Sequence, residues 1–252
     1  MLSAQRKTLL LERLRAEGRV VAKDVASELD LSEDSIRRDL RELAAAGLCQ
    51  RVYGGALPAS PATADYTARQ QVEPGSKRRV AQRAADLIEP GMSIILDGGT
   101  TTLALVGVLP HDLVCTVITH SPTIATALVE HPSIEVLIIG GKLFKHSAVA
   151  CGAAAVEAAQ AYHADLFFLG VTGVHPRFGL TTGDAEEAAM KRALAARAAD
   201  TWALASVEKM GAASPYLVLP TSRISGIITD SPTTSPVVTE LTAQGVTVHT
   251  TS

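Results

Sequence analysis

Two short stretches of the chain have residue types suited to binding anions. The first holds three arginines, Arg37, Arg38 and Arg41. Guanidinium groups are permanently charged, and they donate hydrogen bonds to phosphate oxygens and to base edges in the DNA major groove. The second is the run Asp97-Gly98-Gly99-Thr100-Thr101-Thr102. Glycines let backbone N–H groups approach an oxyanion, and threonine hydroxyls add donors, so this run is a candidate phosphate cradle.

A short amphipathic helix must carry the arginines. Ser32 suits its N-cap, and Asp34 places negative charge at the positive end of the helix dipole. Ile36, Leu40 and Leu43 recur at i, i+4 and i+7, so they bury one face. The arginines then project from the remaining surface.

Further predicted elements surround this helix. Residues 6–16 and 21–29 have apolar residues at helical spacing, and Gly47 can end the third helix. Residues 48–55 follow the pattern of a strand with a glycine turn. Helices, a tight turn and a basic helix predict a helix-turn-helix, and the hairpin adds a wing. The predicted DNA-binding residues are Ser32, Asp34, Ser35, Arg37, Arg38, Arg41, Arg51 and Tyr53.

This region resembles the winged helix of DeoR-type bacterial repressors. Those proteins have a Ser-x-x-Thr-Ile-Arg-Arg-Asp-Leu run, which residues 32–40 match with Ser35 in place of threonine. Their His-Gly-Gly-Ala wing corresponds to residues 53–56, with Tyr53 in place of histidine. The resemblance implies a winged helix-turn-helix over residues 1–57 that binds double-stranded operator DNA.

The charge of this region is low for a DNA-binding domain. Residues 1–57 carry a net charge of only +1, and the rest of the chain carries −4. DNA affinity must therefore come from locally placed arginines and from two copies acting together. We expect a homodimer or a higher homo-oligomer.

Composition excludes several classes of protein. In 252 residues no apolar run approaches the ~18 residues of a membrane span, and the first residues are too polar for a signal peptide. The three cysteines are scattered and odd in number, which argues against a disulfide framework or a zinc site. We expect a cytoplasmic protein without membrane contact, metal or cofactor.

The second domain, residues 76–252, follows a linker at 58–75. This linker begins with a proline-containing stretch of small residues, and Tyr66 to Arg69 are expected to belong to it as well. Apolar strands alternate with helices, which predicts an α/β fold with a mostly parallel sheet covered on both faces. The predicted strands are 92–96, 114–119, 134–139, 166–169, 201–205, 226–229 and 246–249. The predicted helices are 77–88, 102–109, 122–130, 153–161, 185–199 and 235–244.

Small polar clusters follow four of these strands, where ligands of parallel sheets bind. Each cluster alone is more often a tight strand-to-helix turn, but four that converge on one edge favour a ligand site. The candidates are Asp97, Gly98, Gly99, Thr100, Thr101, Thr102, Thr119, His120, Ser121, Gly140, Gly141, Gly170, Thr172 and Gly173.

Residues 76–250 resemble the sensor domain of the same family, whose fold is similar to sugar-phosphate isomerases and CoA-transferases. Residues 97–101 match the family's Asp-x-Gly-Thr-Thr, and residues 187–191 match its Glu-Ala-x-x-Lys. His120 stands in place of an asparagine, and only Lys209 survives from an Asp-x-Ser-Lys run. The resemblance implies a phosphorylated sugar or related anionic effector, and it adds Glu187, Lys191 and Lys209 to the candidates.

Each charged candidate residue also has an explanation that involves no ligand. Glu187 and Lys191 are spaced as an exposed i, i+4 ion pair, and Lys209 could be a solvated loop lysine. Asp97 could cap a turn, and His120 could be a packed or surface residue.

Two function classes compete. A sugar-phosphate isomerase needs a carboxylate base with a second acid–base group nearby. Asp97, Asp184 and Glu187 are possible bases, but none belongs to a compact constellation in the sequence. We therefore predict a regulator without catalytic residues, in which phosphate docks on residues 98–102 and ligand hydroxyls meet His120, Glu187 and Lys209. Repression relieved by the ligand is the direction that the family resemblance implies.

Overall fold

The computed structural model describes residues 2–60 and 64–251. Its N-terminal part is a winged helix-turn-helix with a three-stranded sheet in the order β1-β3-β2. The elements are α1 (Ser3–Glu17), β1 (Val20–Val21), α2 (Ala22–Glu28), α3 (Glu33–Ala45), β2 (Cys49–Val52) and β3 (Gly55–Pro58).

Helix α3 has the predicted cap at each end. The Ser32 side chain accepts a hydrogen bond from Ser35 N, and Gly47 has a φ of +72°. Leu48 N then donates to Leu43 O at 2.9 Å, which closes the helix with a Schellman-type bond. Ile36, Leu40 and Leu43 are buried, as the helical spacing predicts.

Strand β1 was not predicted, because two residues are too short to show a pattern. It pairs with β3, where Val20 lies opposite Ala56 and Val21 opposite Gly55. A Cβ added at Gly55 would lie 1.8 Å from Val20 O, so this pairing requires a glycine in the wing.

Asp39, in the arginine run, is buried and holds α1 against α3. It accepts a hydrogen bond from Ser3 Oγ at 3.1 Å and forms an ion pair with Arg6. The acidic residue between Arg38 and Leu40 therefore has a structural role.

The segment predicted as a linker is partly helical. Residues 61–63 lie outside the described residues, and Tyr66–Gln71 form helix α4, which the sequence pattern did not predict. Asp65 caps α4 by accepting a hydrogen bond from Ala68 N at 2.8 Å. Helix α5 then starts at Pro74, three residues before the predicted start at Lys77.

The larger part is an α/β domain built on a seven-stranded sheet in the order β15-β14-β12-β9-β4-β5-β6. All six pairings in this sheet are parallel, and the predicted strands lie in it. The strands of this sheet are β4 (Ser93–Leu96), β5 (Cys115–Thr119), β6 (Ile134–Ile138), β9 (Ala164–Gly170), β12 (Ala198–Ala205), β14 (Gly226–Thr229) and β15 (Val248–Thr250).

Helices cover both faces of the sheet. They are α5 (Pro74–Ala85), α6 (Thr100–Val106), α7 (Pro122–Ala127), α8 (Ala153–Ala159), α9 (Ala185–Ala195) and α10 (Pro236–Ala243). Phe167 and Phe168 are neighbours on β9 but enter separate buried clusters, one containing Met190 of α9 and the other Val80 of α5. This alternation explains why the strands have continuous apolar sequences.

Short antiparallel elements outside the main sheet were not predicted. They are β7 (Lys142–Phe144) paired with β8 (Val149–Cys151), and a sheet of β10 (Gly173–His175), β11 (Gly179–Thr182) and β13 (Tyr216–Leu219). Val207–Lys209 and Thr221–Arg223 form 3₁₀ turns. The helix predicted over 185–199 ends at Ala195, since strand β12 already begins at Ala198.

Candidate functional site

Asp97, which directly follows β4, is fully buried and accepts four hydrogen bonds. Gly98 N, Gly170 N and His120 Nε2 each lie 2.8 Å from its carboxylate, and Lys191 Nζ lies 2.5 Å away. The side chain thus joins the ends of β4, β5 and β9 to helix α9.

The carboxylate and the lysine stabilise each other's charge. Burial alone would raise the pKa of Asp97, but Lys191 and the His120 hydrogen bond outweigh it and hold that pKa below its ordinary value. Burial would lower the pKa of Lys191, but Asp97 and Glu187 raise it. Glu187 Oε1 lies 3.4 Å from Lys191 Nζ, and Thr182 Oγ1 donates to Glu187 Oε2 at 2.7 Å.

His120 lies between two acceptors. Its Nδ1 is 2.8 Å from Ala150 O, and its Nε2 is 2.8 Å from Asp97 Oδ1. Both ring nitrogens therefore lie at hydrogen-bonding distance from protein oxygens, which fixes the orientation of the ring. Asp97, His120, Glu187 and Lys191 form a connected buried group, which is called the floor below.

A cavity opens above this floor, at the carboxyl ends of β4 and β9. It contains about 460 Å³ of empty space, part of it continuous with solvent. Ten of the predicted effector residues line it, namely Gly98, Gly99, Thr100, Thr101, Thr102, Gly170, Thr172, Glu187, Lys191 and Lys209. Helix α6 begins at Thr100, two residues earlier than predicted, so the glycine–threonine run forms its first turn.

Other predicted residues support the cavity without reaching it. His120 is fully buried with both ring nitrogens occupied, so the expected contact with ligand hydroxyls is not available. Thr119 Oγ1 donates to Leu96 O at 2.7 Å, and Ser121 Oγ donates to Ala148 O at 3.1 Å. These hydroxyls hold the strand end in place.

Three predicted glycines do not line the cavity, and two of them, Gly141 and Gly173, are required by close packing. A Cβ at Gly141 would lie 2.8 Å from Ala155 Cβ, and a Cβ at Gly173 would lie 2.4 Å from Ala212 O. Gly140 follows β6 by two residues and is exposed, and a Cβ there would meet no atom within 4 Å.

The cavity also has charged residues that sequence reasoning missed. Arg69 of α4, Lys77 of α5 and Glu208 line it together with Thr182. Lys77 Nζ donates to the backbone oxygens of Arg69 and Val72. Only the helix that carries Arg69 could have been predicted from the sequence. Asp65 is a typical N-cap residue, so it marks a possible helix start directly before Tyr66.

Lys209 is buried, which excludes the alternative of a solvated loop lysine. Its Nζ donates to Thr101 Oγ1 at 3.0 Å, which attaches it to the glycine–threonine turn. Burial lowers the pKa of Lys209 to about 8. An anion beside this amine would favour its charged form.

On the N-terminal domain the predicted arginines are exposed. Arg37, Arg38 and Arg41 lie on the surface of α3, and Arg51 lies on β2. Tyr53, at the tip of the wing, is 94% exposed. Arg37 Nη2 lies 2.7 Å from Glu33 Oε1, and its side chain is still 52% exposed. Ser32 and Ser35 Oγ atoms lie 2.9 Å apart at the start of the helix, and Asp34 is exposed beside them.

Comparison with known families agrees with both halves of this description. Residues 6–62 match the DeoR-like helix-turn-helix domain, and residues 72–231 match the DeoR C terminal sensor domain. The chain belongs to the DeoR family. The predicted fold class, a winged helix-turn-helix joined to an α/β sensor domain, is thereby confirmed, and so is the prediction of a DNA-binding transcriptional regulator.

This DeoR-family regulator has relatives that align with it over most of both chains. It is 33% identical to the HTH-type transcriptional regulator GlpR of Haloferax volcanii, over 98% of each chain. It is 31% identical to the HTH-type transcriptional repressor GlcR of Bacillus subtilis, over 91% of this chain and 89% of that one. Ribose 5-phosphate isomerase A of Methanocaldococcus jannaschii is 19% identical, with 53% of this chain and 52% of that chain covered and a TM-score of 0.40.

Within the described ranges, no helix of the DeoR-family chain is long and apolar enough to cross a membrane. The same residues contain no group of three or more His, Cys, Asp or Glu side chains that could hold a metal ion.

Proposed function

We propose that this DeoR-family regulator represses a sugar or carbohydrate operon and releases its operator when a phosphorylated sugar enters the cavity. The observation that carries the proposal is the turn at residues 98–102 in one cavity with buried cations, Lys209 among them. Buried positive charge beside a glycine–threonine turn is suited to a phosphate dianion.

In this proposal the phosphate binds between the turn at residues 98–102 and Lys209. Thr100 lines the cavity at the first position of α6, and Lys209 is attached to Thr101. A phosphate oxygen that accepts from Lys209 offsets the desolvation that lowers the lysine pKa.

The sugar is placed above Glu187. One oxygen of that carboxylate accepts from Thr182, and the other faces Lys191 at 3.4 Å. Carboxylates of this kind accept hydrogen bonds from sugar hydroxyls. Lys191, which pairs with Asp97, also holds the Glu187 carboxylate in position.

DNA binding is assigned to α3 and the wing, in at least two copies of the chain. Recognition helices of such domains contact bases in the major groove, while wing residues such as Arg51 reach phosphates. The near-neutral charge of residues 1–57 supports a homodimer or higher homo-oligomer, acting in the cytoplasm on operator DNA.

The test begins with selection of a bound duplex from a randomised pool, because the operator sequence is unknown. The selected duplex is then titrated in the presence of ribose 5-phosphate, glucose 6-phosphate or fructose 1-phosphate. We expect one of these to lower DNA affinity in the wild type. Thr100→Val should keep DNA binding and lose the response, whereas the matched Thr100→Ser, which retains the hydroxyl, should respond.

Two results would contradict the proposal. One is a DNA affinity that no phosphorylated sugar changes. The other is turnover of a sugar phosphate by the purified chain, which would support an isomerase-like enzyme with an attached DNA-binding domain.

A further inference from the structure

Two buried polar atoms, on side chains that line the cavity, have unused hydrogen-bonding capacity. Arg69 Nε and Glu208 Oε2 are buried, and neither has a hydrogen-bond partner among the described residues. Both side chains line the cavity, and the Arg69 residue is only 9% exposed. Buried donors and acceptors are nearly always paired, so these two atoms indicate a missing partner.

Each side chain is held in place by its other polar atoms. Arg69 Nη2 donates to His146 O at 3.0 Å, and the guanidinium carbon lies 5.8 Å from the Tyr66 ring centroid. Ser206 Oγ donates to Glu208 Oε1 at 2.6 Å. The remaining Nε–H donor and Oε2 acceptor are therefore presented in fixed positions.

The charge around the cavity limits what the partner can be. Lys191 is compensated by the acidic residues of the floor, so the walls contribute Arg69, Lys77, Lys209 and Glu208. These four leave an excess of two positive charges, which one phosphate dianion balances. A second anionic group would be uncompensated, so the group that meets Arg69 and Glu208 must be neutral.

We propose that Arg69 and Glu208 form a second recognition point that selects a phosphate monoester with a neutral polyhydroxyl arm. One oxygen of that arm accepts from Arg69 Nε, and one hydroxyl donates to Glu208 Oε2. The proposal rests on the proposed function and extends it, because it distinguishes a sugar monophosphate from a bare phosphate, a bisphosphate and a phosphorylated sugar acid.

Isothermal titration calorimetry on the full chain tests this with four probes. Methyl phosphate carries the phosphate alone, while ribose 5-phosphate and glucose 6-phosphate add the hydroxyl arm. Fructose 1,6-bisphosphate adds a second anion. We expect the better sugar monophosphate to bind at least tenfold more tightly than methyl phosphate, and more tightly than the bisphosphate. A bisphosphate that binds more tightly than both monophosphates would overturn the neutral-arm requirement.

Two variants then separate the recognition point from the phosphate site. Arg69→Lys keeps the charge but removes the Nε–H, and Glu208→Gln is isosteric but replaces an acceptor oxygen. Each should weaken binding of the sugar monophosphate by about tenfold and change methyl phosphate binding by less than about twofold, since about 1.4 kcal/mol corresponds to a factor of ten. The exposed Glu157→Gln on α8 is the matched control, and retained methyl phosphate binding shows that each variant is folded.

The possible failures are distinguishable. If Arg69→Lys and Glu208→Gln bind the sugar monophosphate as the wild type does, only water meets these two atoms and the inference is wrong. The proposed function survives that result if Thr100→Val still abolishes binding of both probes. If the wild type binds none of the four probes, the proposed function and the inference both fail.

Discussion

Ser60 donates a hydrogen bond to the main-chain oxygen of Thr172, a residue that lines the cavity. Ser60 follows the last residue of β3 by two positions, so this bond joins the segment leaving the wing to the sensor site. Thr172 and Glu187 also line a second cavity, which Gly47 and Gln50 of the DNA-binding domain share. These contacts offer a short path by which ligand binding in the proposed site would affect the DNA-binding domain.

Ser60→Ala should reduce the coupling between the two sites. A neutral hydrogen bond contributes about 1 kcal/mol, so the ratio of operator affinities without and with sugar phosphate should fall by about fivefold. Fluorescence anisotropy with labelled operator measures both affinities. An unchanged ratio would show that the signal takes another route.

Arg41→Ala, and likewise Arg38→Ala, should weaken operator binding without affecting the fold. Each arginine is exposed on α3, and loss of one phosphate contact should lower the slope of log affinity against log salt by about 1. Salt titrations of operator binding measure this slope. Arg223→Ala, exposed in the sensor domain, should leave it unchanged.

The affinity for a sugar phosphate should decrease at high pH. In the empty site burial lowers the pKa of Lys209 to about 8, and a bound phosphate raises it by favouring the ammonium form. Binding above that pH therefore requires proton uptake, so affinity should fall by up to about tenfold per pH unit. The phosphate ester does not titrate in this range, because its second pKa is about 6.

Lys209→Arg isolates this effect. Arginine stays charged, so affinity in the variant should be nearly constant where the wild type loses it. Burial also lowers the pKa of Lys77, which faces the same site with Glu208, Arg69 and Lys191. A wild-type profile that stays flat between pH 7 and about 10 would show that Lys209 remains charged in the empty site.

Asp97→Asn should destabilise the chain by about 3 kcal/mol, because it leaves the buried Lys191 with only Glu187, 3.4 Å away, as a counter-charge. Urea unfolding measures the loss, and Asp97→Asn with Lys191→Met should recover part of it. The pKa of Asp97 is lower in the folded chain than in the unfolded chain. Its stabilisation is therefore present above about pH 4 and is lost as the pH falls through the folded-state pKa. A single variant as stable as the wild type would contradict this account.

The sequence predicted the parallel sheet well, because a strand buried on both faces leaves a continuous apolar run. Ile94 and Ile95 show this, as they enter opposite cores from adjacent positions. The recognition helix was equally clear, since Ser32 and Gly47 mark its two ends. Local patterns of this kind do not depend on distant parts of the chain.

The site residues that the sequence did not predict depend on contacts between distant parts of the chain. Arg69 and Lys77 are polar residues in and after a six-residue helix, and only the folded chain shows that they are buried in a cavity. His120 stood at a strand end as a ligand contact would, but Ala150, on the β7–β8 hairpin, occupies its Nδ1. Burial and pairing of charged side chains are tertiary properties, so residue type and spacing could not predict them.

The internally paired floor beneath the cavity has a consequence for how ligand preference could change. The pairing of Asp97 and Glu187 with His120 and Lys191 is internal to the floor, whereas Arg69 and Glu208 belong to two other short elements, α4 and the 3₁₀ turn at Val207–Lys209. If the proposed recognition point is correct, substitutions at those two wall positions would alter which ligand is bound while leaving the ion pairs of the floor in place. Divergence to a new inducer would then require few mutations.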